Sequence, residues 1–351
     1  MKPVLEKFAC SKHLIGPHRL TNRMKQFSMN AENDSALLWA QNHLNQQGYS
    51  IQGSSKLIQN TSWAKVYQLA TTRGYLYLKQ IPESFAIEPN LLLYLRSFFP
   101  ALVPEVLAHN PNLRCFLMSD RGTPLKKQLA INFQVDLARE ALKSCAEIQM
   151  GLISQIDSLL ALGVPDWRLP NLPELYFKLL DDTEFLIHDG FTSNERQHLI
   201  SLHPRFAGLC QQLGQYSIPE TIEHSDFHEN NILCQAQHLT IIDWGESVLS
   251  HPFFSLISFL VNMMRAHQMN DQNKTYRQLR DSYLGYWHAF ESQERLLNAF
   301  ALAKRLSPIK YCLSFYRLTQ CPGWQAGKRH QGRIAHVLRT FLQSELKTDT
   351  S

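Results

Sequence analysis

The chain has 351 residues, is 44% hydrophobic and 19% charged, and carries a formal net charge of +5. That length exceeds a usual single domain and predicts two lobes, while the composition is that of an ordinary globular protein. Basic residues cluster no further than pairs such as Lys126-Lys127 and Lys328-Arg329, which argues against a nucleic-acid binder with a basic stripe. The seven cysteines are odd in number and lack any C-x-x-C spacing; they give no sign of a disulfide framework or zinc ribbon and predict a reducing compartment. No signal-like apolar stretch opens the sequence, and the longest apolar run, near Pro252 to Met264, is too short for a bilayer, so a cytoplasmic protein is expected.

Residues 1–33 show no periodicity and read as an extension. Asn33-Asp34-Ser35 is a capping signal for a helix with Leu37, Leu38, Ala40 and Leu44 as its apolar positions, ended by Gly48. Lys65 to Ala70 and Tyr75 to Ile81 alternate as strands around a turn at Arg73-Gly74 and predict an antiparallel hairpin. Pro89 opens a helical pattern over Leu91 to Phe99, and Cys115 to Met118 reads as another strand. Beyond residue 120 helical patterns dominate, over 134–152, 172–187, 194–213 and most of 253–345, interrupted by a β segment at 232–242. The expected organisation is therefore an extension (1–33), a sheet-rich lobe (34–119) and a larger helical lobe (120–351), an α+β fold.

The informative stretch is His224-Ser-Asp-Phe-His-Glu-Asn-Asn231, followed by Ile232-Leu-Cys and by Leu239-Thr-Ile-Ile-Asp243-Trp-Gly. The apolar pairs on either side of the polar turn Gln235 to His238 predict an antiparallel hairpin. Asn231 precedes its first strand and Asp243 follows its second, so both fall at one end, where the loop carrying Asp226 also arrives. Two hard oxygen donors, Asn231 and Asp243, suit magnesium. Asp226 is left to accept a proton from an attacking hydroxyl, the division of labour of phosphoryl transfer.

H-x-D-x-x-x-x-N, then an apolar strand pair and I-I-D-W, resembles the aminoglycoside phosphotransferase and choline kinase-like group, relatives of protein kinases. The resemblance covers roughly residues 50–265, with Trp244-Gly245 where protein kinases have Phe-Gly and Ser250-His251-Pro252-Phe253 following. It implies a kinase-like two-lobe fold, ATP and Mg as cofactors, and a hydroxyl-bearing small molecule as acceptor. It assigns catalysis to Asp226 and metal binding to Asn231 and Asp243. It makes Lys79, ending Tyr75-Leu-Tyr-Leu-Lys79, the nucleotide lysine, with Glu88 as its partner and Glu83 as a competitor. Leu117-Met118-Ser119-Asp120 corresponds to the hinge, so Met118 and Ser119 would face adenine. One departure is clear: Asn60-Thr-Ser-Trp-Ala-Lys-Val66 stands where a Gly-rich loop is expected. Its backbone N–H groups and the Ser62 hydroxyl can still reach phosphate oxygens, and Trp63 reads equally as sheet packing or as nucleotide cover.

His224 and His228, four apart beside Glu229, invite a zinc reading, but the order is not H-E-x-x-H and no third ligand is evident; His224 reads as a brace for the catalytic loop. Tyr283, Tyr286, Trp287, Tyr311, Phe315, Tyr316 and Trp324 fall at helical spacings, most as core and a few as acceptor-pocket walls. No activation-loop pattern follows Asp243, which argues against a regulated protein kinase. Residues 251–351 hold 14 Lys and Arg against 6 Asp and Glu, so a neutral or anionic acceptor is expected rather than a polycationic aminoglycoside, although Asp281 or Glu291 facing inward would reverse that sign. An aminoglycoside kinase and a catalytically silent kinase-like interaction protein are the alternatives. Neither a nucleic-acid nor a membrane partner is expected.

Overall fold

The computed structural model describes residues 35–321 and 331–348; the expected extension 1–33 and Trp324 lie outside them. The first lobe is built on one antiparallel sheet in the order β1-β2-β3-β5-β4, from β1 (Lys56–Asn60), β2 (Lys65–Thr71), β3 (Gly74–Gln80), β4 (Val106–Asn110) and β5 (Cys115–Ser119). Strand side chains alternate between faces. Leu69, Leu76, Leu78 and Leu117 thus meet Ala36, Leu37, Ala40 and Leu44 of helix α1 (Ser35–Gln46) on one side. Phe116 points the other way, toward Leu91, Leu92 and Leu95 of helix α2 (Glu88–Phe98). Each such leucine, fully buried, contributes about 2 kcal/mol.

Two strands of this sheet carry no sequence signal. β1, Lys-Leu-Ile-Gln-Asn, is almost wholly exposed, and every residue of β4 is half-buried. Neither shows the alternation by which a strand is recognised.

The chain leaves β5 through Asp120–Gly122 and enters β6 (Thr123–Pro124), which pairs with Leu233 and Cys234. Gly122 has φ +93°, and a Cβ there would lie 2.2 Å from the Cys234 carbonyl oxygen. Only glycine fits this crossing. Helices α3 (Leu125–Ile131), α4 (Val135–Gly151) and α5 (Ile156–Ala161) follow. The two long helices expected over 172–187 and 194–213 are each broken in two. α6 (Leu172–Asp181) stops where Asp182 caps α7 (Thr183–His188) by accepting the Phe185 N–H. α8 (Ser193–Ser201) stops before α9 (His203–Leu213), whose first turn contains Pro204 and thereby lacks an N–H donor.

β7 (Thr221–Glu223) pairs with β10 (Val248–Ser250), and between them runs the expected hairpin, β8 (Ile232–Gln235) with β9 (His238–Ile241). Its two-residue turn has positive φ at both Ala236 and Gln237, the backbone that suits strand twist, reached here without glycine. The remaining chain is helical: α10 (Phe253–Ala266), α11 (Lys274–Gly285), α12 (Gln293–Thr319) and α13 (Arg333–Thr348). α12 runs through Pro308. The Lys304 carbonyl, which proline leaves without its donor, accepts the Ser307 hydroxyl at 2.9 Å. α13 is fastened at several points. Asp189 accepts the Gly332 and Ala335 N–H groups, Arg339 pairs with Glu195, and Glu345 lies between Arg205 and Arg305.

Candidate active site

Lys79 lies near the end of β3, opposite Val66 and Phe116. Its ammonium is 2.7 Å from Glu88 Oε1 and 2.6 Å from Asp243 Oδ1. Glu88, not Glu83, is therefore the helix-side partner. Both Lys79 and Glu88 are buried, and unpaired charges there would be costly. Burial works against the charge on Lys79, but the Asp243 and Glu88 carboxylates outweigh it and hold the ammonium above the usual lysine pKa. Burial likewise raises the Glu88 carboxyl, with the Lys79 ammonium pulling the other way.

Asp243 follows β9 with a left-handed backbone, φ +69°, which turns it out of the strand and into a short 3₁₀ turn, Trp244–Glu246. The turn is anchored by buried Trp244, whose indole N–H donates to the Ile241 carbonyl at 2.9 Å. A Cβ on Gly245 would sit 3.1 Å from Glu88 Oε2, so this small residue lets α2 approach.

At the same end of the hairpin, the Asn231 side-chain amide donates to the Asp226 backbone carbonyl at 2.9 Å and to its carboxylate at 3.1 Å. The Asn231 carbonyl in turn accepts the Ile242 N–H at 2.9 Å. His224 donates from Nε2 to the Ile242 carbonyl at 2.9 Å. Burial lowers its pKa and keeps the ring neutral, so it braces the loop against the strand end, as its sequence context suggests. His228, which sequence reasoning set aside with the zinc reading, places Nε2 3.4 Å from Asp226 Oδ1. Its Nδ1 accepts the Asn230 N–H, so its proton resides on the nitrogen facing Asp226.

Two cavities adjoin this rim. A cleft of about 270 Å³ opens between the lobes; Lys79, Glu88, Met118, Ser119, Asn231 and Asp243 all line it. Six of the eight side chains expected at the site thus share one cavity. Asp226 lines a second one, of about 70 Å³, between α10 and α12, with Phe254, Ile257, Pro308, Lys310 and Tyr311. Ser62 is not among the residues lining either cavity. In the same turn the Thr61 hydroxyl accepts the Ala64 N–H and donates to the Ala64 carbonyl. Trp63 packs on the core. Tyr283, Trp287 and Phe315 are core, and among the described residues Tyr311 alone of the named aromatics reaches the second cavity. Glu291 pairs with Arg295 and Asp281 with Arg280, both away from it.

Sequence reasoning missed Glu223 and Lys310. Glu223 is fully buried immediately before His224, and Lys310 reaches it from α12, 87 positions later. Neither belongs to a motif.

The family model described as "Phosphotransferase enzyme family" matches residues 61–292, a span that includes Lys79, Asp226, Asn231 and Asp243. Among solved structures, the choline kinase from Cryptosporidium parvum Iowa II superposes with a TM-score of 0.58 at 13% identity, covering 85% of this chain and 89% of that one. Amicoumacin kinase hAmiN in complex with AMP-PNP, Ca2+ and Ami gives 0.57 at 12% identity, covering 91% and 96%. APH(2")-IIia in its GDP and kanamycin complex gives 0.54 at 17% identity, covering 85% and 94%. At such identities the likeness is one of fold. No curated protein matches in sequence. The kinase-like two-lobe architecture and a family match over most of the chain agree: this chain belongs to the phosphotransferase enzyme family.

Proposed function

We propose that the chain transfers the terminal phosphoryl group of ATP, with magnesium, to a hydroxyl of a neutral or anionic small molecule. The observation that carries this reading is the placement of Asp226. It lines the helical cavity, while its hydrogen-bond partner Asn231 lines the inter-lobe cleft with Lys79 and Asp243. One carboxylate thus stands between a charged, nucleotide-sized cleft and a separate pocket for an acceptor.

In this reading the lobes divide at Ser119 and Asp120, and Met118 and Ser119 offer the adenine edge. Lys79, fixed by Glu88, binds nucleotide phosphates. Asn231 and Asp243, an amide and a carboxylate, would hold magnesium, which would neutralise phosphate charge. Among the described residues no group of three His, Cys, Asp or Glu side chains is placed for a metal, in keeping with an ion shared with substrate. The acceptor oxygen forms the new bond to phosphorus as the bond to ADP breaks, and its proton passes to Asp226. AMP-PNP with Ca2+ in the amicoumacin kinase complex supports a nucleotide-metal pair in this fold.

Among the described residues the pocket wall carries one carboxylate, Asp226, and one ammonium, Lys310, amid apolar side chains, serines, Tyr311 and the Asn262 amide. Ser314 Oγ is buried there without a hydrogen-bond partner among the described residues and suits a polar atom of the acceptor. With one carboxylate set against one ammonium, this wall gives several ammonium groups little charge compensation, which speaks against an aminoglycoside. The test is a screen of hydroxylated metabolites for ATP consumption, beside calorimetry of ATP with and without magnesium. Magnesium-dependent binding and turnover of at least one alcohol are expected; absence of magnesium-dependent nucleotide binding overturns the reading and leaves the catalytically silent alternative.

A further inference from the structure

Helix α12 presents two cations exactly seven residues apart, hence on one face two turns apart. Lys310 donates to Ser225 Oγ at 2.9 Å and forms a close ion pair with Glu223. Arg317 donates to the Glu246 carbonyl at 3.2 Å and to the Ser84 carbonyl at 3.0 Å. The first contact falls on the residue before Asp226. The second falls on the turn that begins at Asp243, and reaches across to the sheet-bearing lobe.

Ser225 has φ +65°, a left-handed backbone that a serine adopts only when its surroundings impose it. The surroundings are visible. Glu223 Oε1 accepts the Ser225 N–H at 2.9 Å and the Ser255 hydroxyl at 3.0 Å. Glu223 Oε2 accepts the Ser225 hydroxyl at 3.1 Å and the Lys310 ammonium. The Glu223 carboxylate is therefore spent on four donors at zero exposure, and Lys310 supplies its balancing charge. Without Lys310 the carboxylate would be buried and uncompensated, and the residue that aims Asp226 would lose both its direct donor and a firm acceptor. Lys310 also forms part of the pocket wall beside Asp226, so an acceptor rests against the side chain that sets the carboxylate's direction.

We propose that Lys310 is a positioning residue: through Glu223 and Ser225 it fixes the direction of the Asp226 carboxylate. The inference rests on the catalytic reading of Asp226 for its effect on turnover, but not for its effect on the loop. The test uses the full chain with Lys310→Met and the double variant Lys310→Met/Glu223→Gln, in which no buried charge is left unpaired. Three quantities are measured: kcat for ATP consumption with an alcohol that the unsubstituted protein phosphorylates, ATP affinity by calorimetry, and hydrogen exchange of the 222–231 peptide.

In the double variant kcat should fall about 100-fold, the scale of a misplaced reacting group. ATP affinity should stay within about twofold, because Lys79 and Asp243 are untouched, and 222–231 should exchange about tenfold faster as the loop opens more often. Wild-type kcat in the double variant would overturn the proposal, since charge compensation alone would then suffice. So would wild-type exchange in 222–231, a readout that remains decisive even where no acceptor is phosphorylated and the phosphotransfer reading itself has failed.

Discussion

The inter-lobe cleft and the helical pocket adjoin at the Asn231–Asp226 hydrogen bond yet are built by different physics. The cleft is assembled from β3, α2 and the open end of the β8–β9 hairpin, and is fixed by charge-assisted contacts of 2.6 and 2.7 Å on one buried lysine. Such bonds are directional, and each partner is unaffordable alone. The pocket lies between α10 and α12 and takes its shape from the volumes of Phe254, Ile257, Pro308 and Tyr311. A change of one of these four side chains reshapes it without unpaired charge. In the proposed reading, a phosphoryl-transfer apparatus stays fixed in the cleft while acceptor choice varies next door.

The comparison breaks most sharply at Asp226. Replacement by Ala should lower kcat by about 10²–10⁴-fold, the range of a general base, while calorimetry shows nucleotide binding intact, because the residue faces the pocket; near-wild-type turnover would remove it from catalysis. Asp243→Ala should differ in kind by weakening magnesium-dependent nucleotide binding together with turnover, and an unchanged magnesium dependence in calorimetry would cancel its metal role. At the crossing between lobes, Gly122→Ala should cost about 1–3 kcal/mol of stability, the range for overpacking, because its Cβ meets the Cys234 backbone. Thermal unfolding at wild-type temperature would show that the crossing yields.

The pocket side leans on His251, just before α10, whose Nδ1 accepts the Phe253 N–H. Burial pushes its pKa down to about 3, whereas an unfolded histidine titrates near about 6.5. Its neutral form is favoured in the folded chain, so its contribution is complete above about pH 6.5 and is lost as pH falls toward 3, by about 1.4 kcal/mol per unit. Denaturant unfolding at stepped pH should show this slope, and His251→Asn should flatten it. The smallest effect concerns acceptor charge. Alcohols carrying three or more ammonium groups should turn over at least about tenfold less efficiently than neutral or acidic ones at low ionic strength. Efficient phosphorylation of kanamycin-like cations would refute the charge argument and leave phosphotransfer standing.

What could be read in the sequence follows the same division. His224, Asp226, Asn231 and Asp243 fall within 20 residues because one hairpin returns the chain to its own start, and short spacing is visible in a string of letters. Lys79 and Glu88 are legible as a strand end and the next helix start. Glu223, His228 and Lys310 were not legible as site residues: Glu223 and Lys310 meet only after six helices and strands have packed, and His228 matters for a neighbour two positions away that its zinc-like spacing obscured. The lobes and most elements followed periodicity. β1 and β4 did not, because an exposed edge and a half-buried one alternate poorly, and the breaks come from the Asp182 cap and from Pro204, which interrupt otherwise continuous apolar patterns.

Helix α13 has a consequence for the order of events during synthesis. Ile334, Val337, Leu338 and Phe341 are fully or almost fully buried, and Glu345 pairs with arginines from both α9 and α12. Ribosomes deliver the chain from its N-terminal side, at about 5–20 residues per second. The sheet and the whole β8–β9 hairpin are therefore outside the tunnel many seconds before α13 can seat. Through that interval Arg205 and Arg305 await their carboxylate, and an apolar trough on α9 and α12 stands open to water. A nascent chain at this stage is a natural client for chaperones, and a stop codon before residue 333 would make that transient condition permanent, although every residue of the cleft and of the pocket had already been made.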